Sequence, residues 1–440
     1  TVLAEATASL STAAQKAQLL AKMPEAQWLE YEAISDDNAI EASRLAFGGD
    51  YRVDIDLTHA QIIVDVDAGL LSSHPNHTQH SRDWASQRDP EAGKMNRMYA
   101  IESRMSNTGM GAEHRFGLRF EQIKPFVILL EAELAKLGVD TGAKKISVGK
   151  FAEDKKVQKW VKALAKDLVK NKGQSVIAVG DQHSPDLIAM SHRMNIVLGN
   201  MGKAFSLRTL PDQGRNGHQA GLKAVTDGIN AGSVDTLLIL GGNPAYSAPA
   251  DVKFADALGK VKNSVLLSVT PNETSLGCHW SLPRAHYLES WDESRTWDGT
   301  VSIAQPLIEP LFNGRSTAEV LSLLNGAKAS SSAITRSVFS ALVSPAEPVA
   351  EEKIPSAADA AEPASEVIDV ELAALPKVDG AEWAWRKAIH NGFVKDSAYP
   401  LATPELLSFI PALEAHYDTL RTSESDGISG GTVLITSDGT

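Results

Sequence analysis

Leu237-Leu238-Ile239-Leu240 is an unbroken apolar run that stops at Gly241-Gly242-Asn243-Pro244. No other feature constrains the fold as strongly. A short β-branched or leucine-rich run bounded by turn residues reads as a strand buried on both faces, and such strands belong to parallel sheets covered by helices. The turn then lies at the carboxyl end of the strand, where open α/β sheets bind their ligands. Two readings of it stay open at this point. Glycines let a backbone approach a phosphate closely, but proline with fixed φ and asparagine with permissive angles also make a good turn by themselves.

Other segments repeat the pattern. Strands are expected at 61–67, 97–102, 175–180, 236–241 and 264–269, separated by amphipathic helices. Val157, Trp160, Val161, Leu164 and Leu168 share one helical face. Ser184-Pro185 reads as a helix start, with Leu187, Ile188, Met194, Val197 and Leu198 turned inward and Gly199 as the stop. Asn216 is expected to cap a helix carrying Leu222, Val225 and Ile229 and ending at Gly232.

At 440 residues the chain exceeds one ordinary core. The expected organisation is a first α/β domain at 1–205, a second at 206–330, an Ala/Pro/Glu-rich linker at 331–380 and a partial C-terminal domain at 381–440. A weak repeat links the two α/β domains: 59–68 followed by Ser72-Ser73-His74-Pro75 parallels 234–243 followed by Ser247-Ala248-Pro249. The last segment, with Thr432-Val433-Leu434-Ile435-Thr436, reads as a strand just entered, so a piece of a longer polypeptide is expected.

The net charge of −13 argues against nucleic acid and anionic lipid as partners. No apolar run approaches the roughly 20 residues of a membrane span. Cys278 is the only cysteine, which excludes an intramolecular disulfide or a four-cysteine iron–sulfur cluster within this sequence.

The order of several segments resembles the molybdopterin oxidoreductase family. They are Asn195 to Gly202, with Gly199-Asn200-Met201-Gly202; Gly241 to Ala250; Ser268 to Ser275, with Glu273-Thr274; Leu282-Pro283 with Glu289; and Asp298-Gly299-Thr300. Farther back, Tyr99 to Thr108, with Glu102, and Ala112-Glu113-His114 are similar to a further family run. The likeness covers about residues 55–310. It implies two Rossmann-like parallel-sheet α/β domains of the formate dehydrogenase/DMSO reductase type plus a partial C-terminal segment. It also implies a pterin-dinucleotide site whose counterparts here are Gly241, Gly242, Asn243, Pro244, Glu102, Thr108, Glu273 and Thr274.

The departures matter as much. Where the family's first domain has Gly-x-Asn-Pro, this chain has Asp65-Val66-Asp67-Ala68, and carboxylates repel phosphate. Glu102-Ser103 replaces Asp-Pro, and no cysteine precedes residue 100. The expectation is therefore a vestigial site without molybdopterin, and no catalytic residue or metal ligand is assigned.

A narrower resemblance accounts for this. Cys278 to Glu289, Trp291, 298–310, His74-Pro75-Asn76-His77, Arg82-Asp83-Trp84-Ala85 and Arg88 resemble the large iron–sulfur subunit of alternative complex III. That resemblance implies a non-catalytic scaffold in a quinol:electron-acceptor oxidoreductase, with iron–sulfur clusters in a following cysteine-rich part. It implies other subunits of a membrane-bound respiratory complex as partners, and a peripheral place on the periplasmic side of the bacterial inner membrane. The competing reading is an active molybdenum- or tungsten-pterin oxidoreductase acting on a small substrate.

Three further clusters carry titratable side chains. His74, His77 and His80 have imidazoles at regular spacing, but a polar loop is the better reading. His279, His286 and Glu289 are expected to pack structurally, with irregular backbone at Leu282-Pro283. Asp292, Glu293 and Asp298 are expected in a loop whose Trp291 and Trp297 pack on a neighbouring domain.

Overall fold

The structure is a computed structural model and describes residues 1–141, 149–343, 380–402 and 404. The chain divides into two compact units, Thr1–Tyr31 with Gln219–Ala398, and Glu32–His218 with Tyr399–Thr440. The boundary near 205 expected from pattern is corrected by strand pairing. Val2–Ala4 pairs in parallel with Thr236–Leu240, and Phe205–Thr209 pairs with Tyr51–Ile55. The expected linker and C-terminal domain fall largely on 344–379 and 405–440, outside the described residues. Within them, Ser331–Leu342 and Gly380–Asn391 are helices.

The first unit holds a five-stranded parallel sheet in the order Trp280–Pro283, Asn263–Ser268, Thr236–Leu240, Val2–Ala4, Trp28–Glu30. Successive side chains leave a strand on opposite faces, and the core follows that period. Leu3, Leu237, Ile239 and Leu266 meet Leu222, Val225 and Ile229 of the His218–Asn230 helix and Phe254 on one face. Val2, Ala4, Leu240 and Leu267 meet Leu19 and Leu321 on the other. A small antiparallel sheet, Asp292–Arg295, Val301–Ala304 and Phe393–Val394, completes this unit.

The second unit has a four-stranded parallel sheet ordered His114–Gly117, Arg97–Glu102, Ile62–Val66, Ser175–Val179. Every residue of Ile62–Val66 and Ser175–Val179 is buried, as expected of strands covered on both faces. Helices Phe120–Lys136, Lys155–Lys170 and Pro185–Val197 contribute Phe126, Leu130, Leu164, Leu168, Leu187 and Met194 to one continuous core. Pro185 stands at the start of its helix, and Gly199 follows with φ 75°, so both end signals are realised. Asn216 does not cap its helix. That helix begins at His218, whose N–H donates to Asp37 Oδ1 at 3.0 Å.

The architecture is thus α/β with Rossmann-like parallel sheets, as expected from the sequence. No described helix is long and apolar enough to cross a membrane.

Candidate functional site

In each of the two parallel sheets the strand order reverses once, and the carboxyl ends flanking that reversal form the natural binding crevice. In the first unit the reversal lies between Val2–Ala4 and Thr236–Leu240, which brings Glu5 against Gly241-Gly242. Both glycines have positive φ, 85° and 73°. Glu5 Oε1 accepts the Gly242 N–H at 2.7 Å, and Glu5 Oε2 accepts from Arg284 Nη1 at 2.6 Å. A Cβ on Gly241 would collide with the Glu5 carboxylate and the Arg284 guanidinium, so glycine here makes room for that pair.

Asn243, Glu273 and Thr274 are brought together next to this turn. Asn243 Oδ1 accepts from Thr274 N–H and Oγ1–H at 3.1 and 2.8 Å, and its Nδ2 donates to Glu273 at 2.5 Å. Thr274 Oγ1 in turn accepts the Ala245 N–H at 3.0 Å, behind Pro244. Asn243 therefore splints the Asn263–Ser268 turn to the Thr236–Leu240 turn.

The N-terminus of helix Leu10–Lys22, another ready anion site, is also taken. Ser11 N–H and Oγ–H donate to Glu293 at 2.5 and 2.8 Å, and Ser9 Oγ donates to Asp292 at 2.8 Å. Burial, with the Asp292 charge adding to it, pushes Glu293 up to about 7. The loop expected around Asp292 is instead the strand Asp292–Arg295. Trp291 packs against Trp385 of its own unit, with ring centroids 5.7 Å apart, and not on a neighbouring domain.

In the second unit the reversal lies between Ile62–Val66 and Ser175–Val179. Buried Asp65 accepts the N–H groups of Ala68, Gly69 and Leu70 at 3.1, 3.3 and 2.8 Å. Asp67, in a left-handed conformation at φ 50°, accepts from Ser103 N–H at 2.9 Å and Ser103 Oγ at 3.1 Å. Its carbonyl accepts from Gln182 Nε2 at 2.6 Å, and His183 Nε2 lies 3.4 Å from its carboxylate. A Cβ on Gly180 would strike the Asp67 carbonyl, so glycine permits this close approach.

Glu102 and Thr108 point inward here. Glu102 pairs with Arg115 and accepts from Ser106 Oγ at 2.6 Å, while Thr108 Oγ1 accepts the Leu71 N–H at 3.1 Å. Each expected site residue thus has a partner within its own unit. Sequence reasoning misses Glu5, Ser11 and Arg284, and places Glu293 in a loop without its partner. Their roles depend on partners hundreds of positions away, and no local pattern marks them.

Backbone amides at both reversals consequently carry the chain's own carboxylates. A phosphate approaching Gly242, Ser11, Gly69 or Ser103 would have to displace a carboxylate and overcome its charge.

Burial, reinforced by the charge of Asp67, pushes Asp65 up to about 7 despite its three amide donors. A carboxyl with a raised folded pKa stabilises fully below its unfolded value near ~4, and that contribution is lost as pH rises through the folded value. Asp65→Asn removes this dependence. The melting temperature of the variant relative to wild type is therefore expected to rise between pH 5 and pH 8 by the thermal equivalent of ~2–4 kcal/mol. A difference independent of pH would contradict it.

The histidine segment is not a loop throughout, because helix His77–Ser86 begins inside it. His74 and His80 rings lie 4.6 Å apart, and burial pushes both well down, to about 3 and about 4. His279 is held by Ser264 Oγ at 2.8 Å, and Glu289 Oε2 accepts the His286 N–H at 3.1 Å, so these groups pack structurally. Leu282-Pro283 is regular strand, not irregular backbone.

No protein-family profile matches this sequence. No curated protein matches it either. Among solved structures, acetylene hydratase from Pelobacter acetylenicus superposes with a TM-score of 0.54 at 12% identity, over 74% of this chain and 55% of that one. The formyltransferase/hydrolase complex from Methylorubrum extorquens, solved with methylofuran, gives 0.48 at 14% identity, over 74% of this chain and 90% of the matched chain. The first likeness shows the fold, and this chain spans about half the length of that protein.

Proposed function

We propose that this chain is a non-catalytic, molybdopterin-oxidoreductase-like scaffold within an iron–sulfur electron-transfer subunit. The assembly is a quinol:electron-acceptor oxidoreductase of the alternative complex III type. One observation carries the reading: Glu5 on Gly242, Asp65 on Ala68 to Leu70 and Asp67 on Ser103 fill the amides that a pterin dinucleotide's phosphates would need. The turn Gly241 to Pro244 and its partners Glu273 and Thr274 then serve as a splint, retained for packing.

On this reading the iron–sulfur clusters belong to a cysteine-rich part outside this sequence. Cys278 does not substitute for it, because burial pushes its thiol up, away from the thiolate that ligates iron. Attachment to the periplasmic face of the inner membrane runs through partner subunits.

The test is elemental analysis of the purified protein for molybdenum and tungsten, with fluorescence of released pterin after oxidative denaturation. Neither metal nor pterin is expected at stoichiometric level, and either one at one per chain overturns the proposal. Asn243→Ala is expected to leave quinol-dependent electron transfer of the assembled complex near wild type, while lowering stability by about 1–3 kcal/mol through the lost Thr274 bonds. Loss of electron transfer in a folded variant counts against a scaffold.

The second reading, a molybdenum- or tungsten-pterin enzyme acting on a small substrate, is favoured by the intact Gly-Gly-Asn-Pro turn. The same metal analysis separates the two.

A further inference from the structure

We propose that the outer face of helix Lys155–Lys170 is a docking surface for an acidic segment of a partner protein. Burial fixes the inner face of that helix, because Val157, Val161, Leu164 and Leu168 enter the core of the second unit. At 3.6 residues per turn, Lys155, Lys159, Lys162, Lys166 and Lys170 then fall in one outward stripe. The stripe is about 80° wide and ~22 Å long. All of these lysines are exposed, and none forms an ion pair among the described residues.

The stripe is uncompensated in a chain whose net charge is −13. Other helices neutralise exposed cations at helical spacing: Lys136 pairs with Glu133, Lys223 with Asp227, and Arg386 with Glu382. Here the same spacing sets lysine against lysine. Lys155 and Lys159, Lys162 and Lys166, and Lys166 and Lys170 stand four apart, and Lys159 and Lys162 three apart. The nearby acids are engaged elsewhere. Asp167 pairs with Arg97 and accepts from Tyr99 Oη, while Asp154 caps the Lys156 and Val157 N–H groups. Glu153, just before that cap, pairs with none of the stripe lysines. No acid occupies the first turn, where Lys155 and Lys156 meet the positive end of the helix dipole.

Packing holds this repulsion in place, and the carboxylates of a partner relieve it, so charge complementarity selects an anionic occupant. Among polyanions an acidic polypeptide fits best. A bilayer takes up a helix through apolar side chains on the face it meets, and this face offers only Ala163 beside its lysines. A bilayer or a nucleic acid would also present its charge to the rest of the chain, whose excess of carboxylates repels it. A segment of the stripe's own length keeps its carboxylates over the lysines, within a Debye length of about 8–10 Å.

Fluorescence anisotropy of a labelled oligoglutamate peptide, titrated with the full chain at low ionic strength, tests this. Saturable binding is expected, weakened tenfold or more in Lys159→Glu/Lys162→Glu/Lys166→Glu. Lys94→Glu/Lys328→Glu/Lys395→Glu changes the net charge equally at scattered exposed lysines, and is expected to bind within twofold of wild type. No binding by wild type, or equal affinities of the two variants, overturns the proposal. So does co-sedimentation with phosphatidylglycerol vesicles that the stripe variant abolishes, which assigns the face to lipid. Should the stripe variant fail to fold, the neutral Lys159→Gln/Lys162→Gln/Lys166→Gln decides: weakening of threefold or more supports the surface, and less overturns it.

Discussion

Asn195→Ala is expected to destabilise the second unit by about 4 kcal/mol, because it strips an edge strand of the side chain that pairs both backbone groups of Ile177. Ser175–Val179 ends its sheet, so alternate backbone groups face away from the ladder. Asn195, fully buried on helix Pro185–Val197, answers them as a strand would. Its Oδ1 accepts the Ile177 N–H at 2.9 Å, and its Nδ2 donates to the Ile177 carbonyl at 2.8 Å. Asn200 extends the pairing, accepting from Ser175 N–H and Oγ at 3.3 and 3.1 Å and donating to Asn195 Oδ1 at 3.1 Å. Alanine leaves two buried backbone groups unpaired, each costing about 1–3 kcal/mol. Hydrogen exchange reads the effect directly: the Ile177 amide should lose most of its protection. Retained protection there, or a loss of stability below about 1 kcal/mol, would refute the edge-cap role.

Gly241→Ala is the second large effect, expected at about 3 kcal/mol. Part comes from φ 85°, a conformation an L residue adopts only with strain. The rest comes from the added Cβ, which drives Glu5 and Arg284 apart and uncaps the Gly242 N–H. The two parts separate in a double-mutant cycle. Glu5→Ala in the Gly241→Ala background should cost clearly less than Glu5→Ala alone, since the collision has already broken its contacts. Strict additivity in denaturant unfolding would show that Gly241 and Glu5 do not share one site.

The strands most legible in the sequence are the most deeply buried ones. Ile62–Val66 and Ser175–Val179 announce themselves because burial on both faces demands unbroken apolar residues. Val2–Ala4 and Trp28–Glu30 span too few residues to leave a periodic trace. Trp280–Pro283 reads as irregular in sequence because of its proline. It is an edge strand: the Arg284 N–H donates to Ser268 O, so the adjoining Pro283 nitrogen faces away from that ladder, on the side where Pro283 O accepts the Arg315 N–H, and its missing N–H breaks no pairing with Asn263–Ser268.

The weak repeat in the sequence also acquires a physical meaning. Its two copies, ending near Asp67 and Gly242, both border the reversal of strand order in their sheets, although one is the first strand of its sheet and the other the third.

Local pattern alone determined that this chain builds parallel sheets, where the turns at their carboxyl ends fall, and that Gly241 to Pro244 ends a buried strand. Apolar period and turn chemistry act over a few residues, and so they can be read in one dimension. Only the tertiary structure decided what those turns hold. Glu5 reaches Gly242 across 237 positions, and Glu293 reaches Ser11 across 282. A carboxylate is drawn to bare amides by a field that depends on distance in space, and sequence separation carries no trace of it.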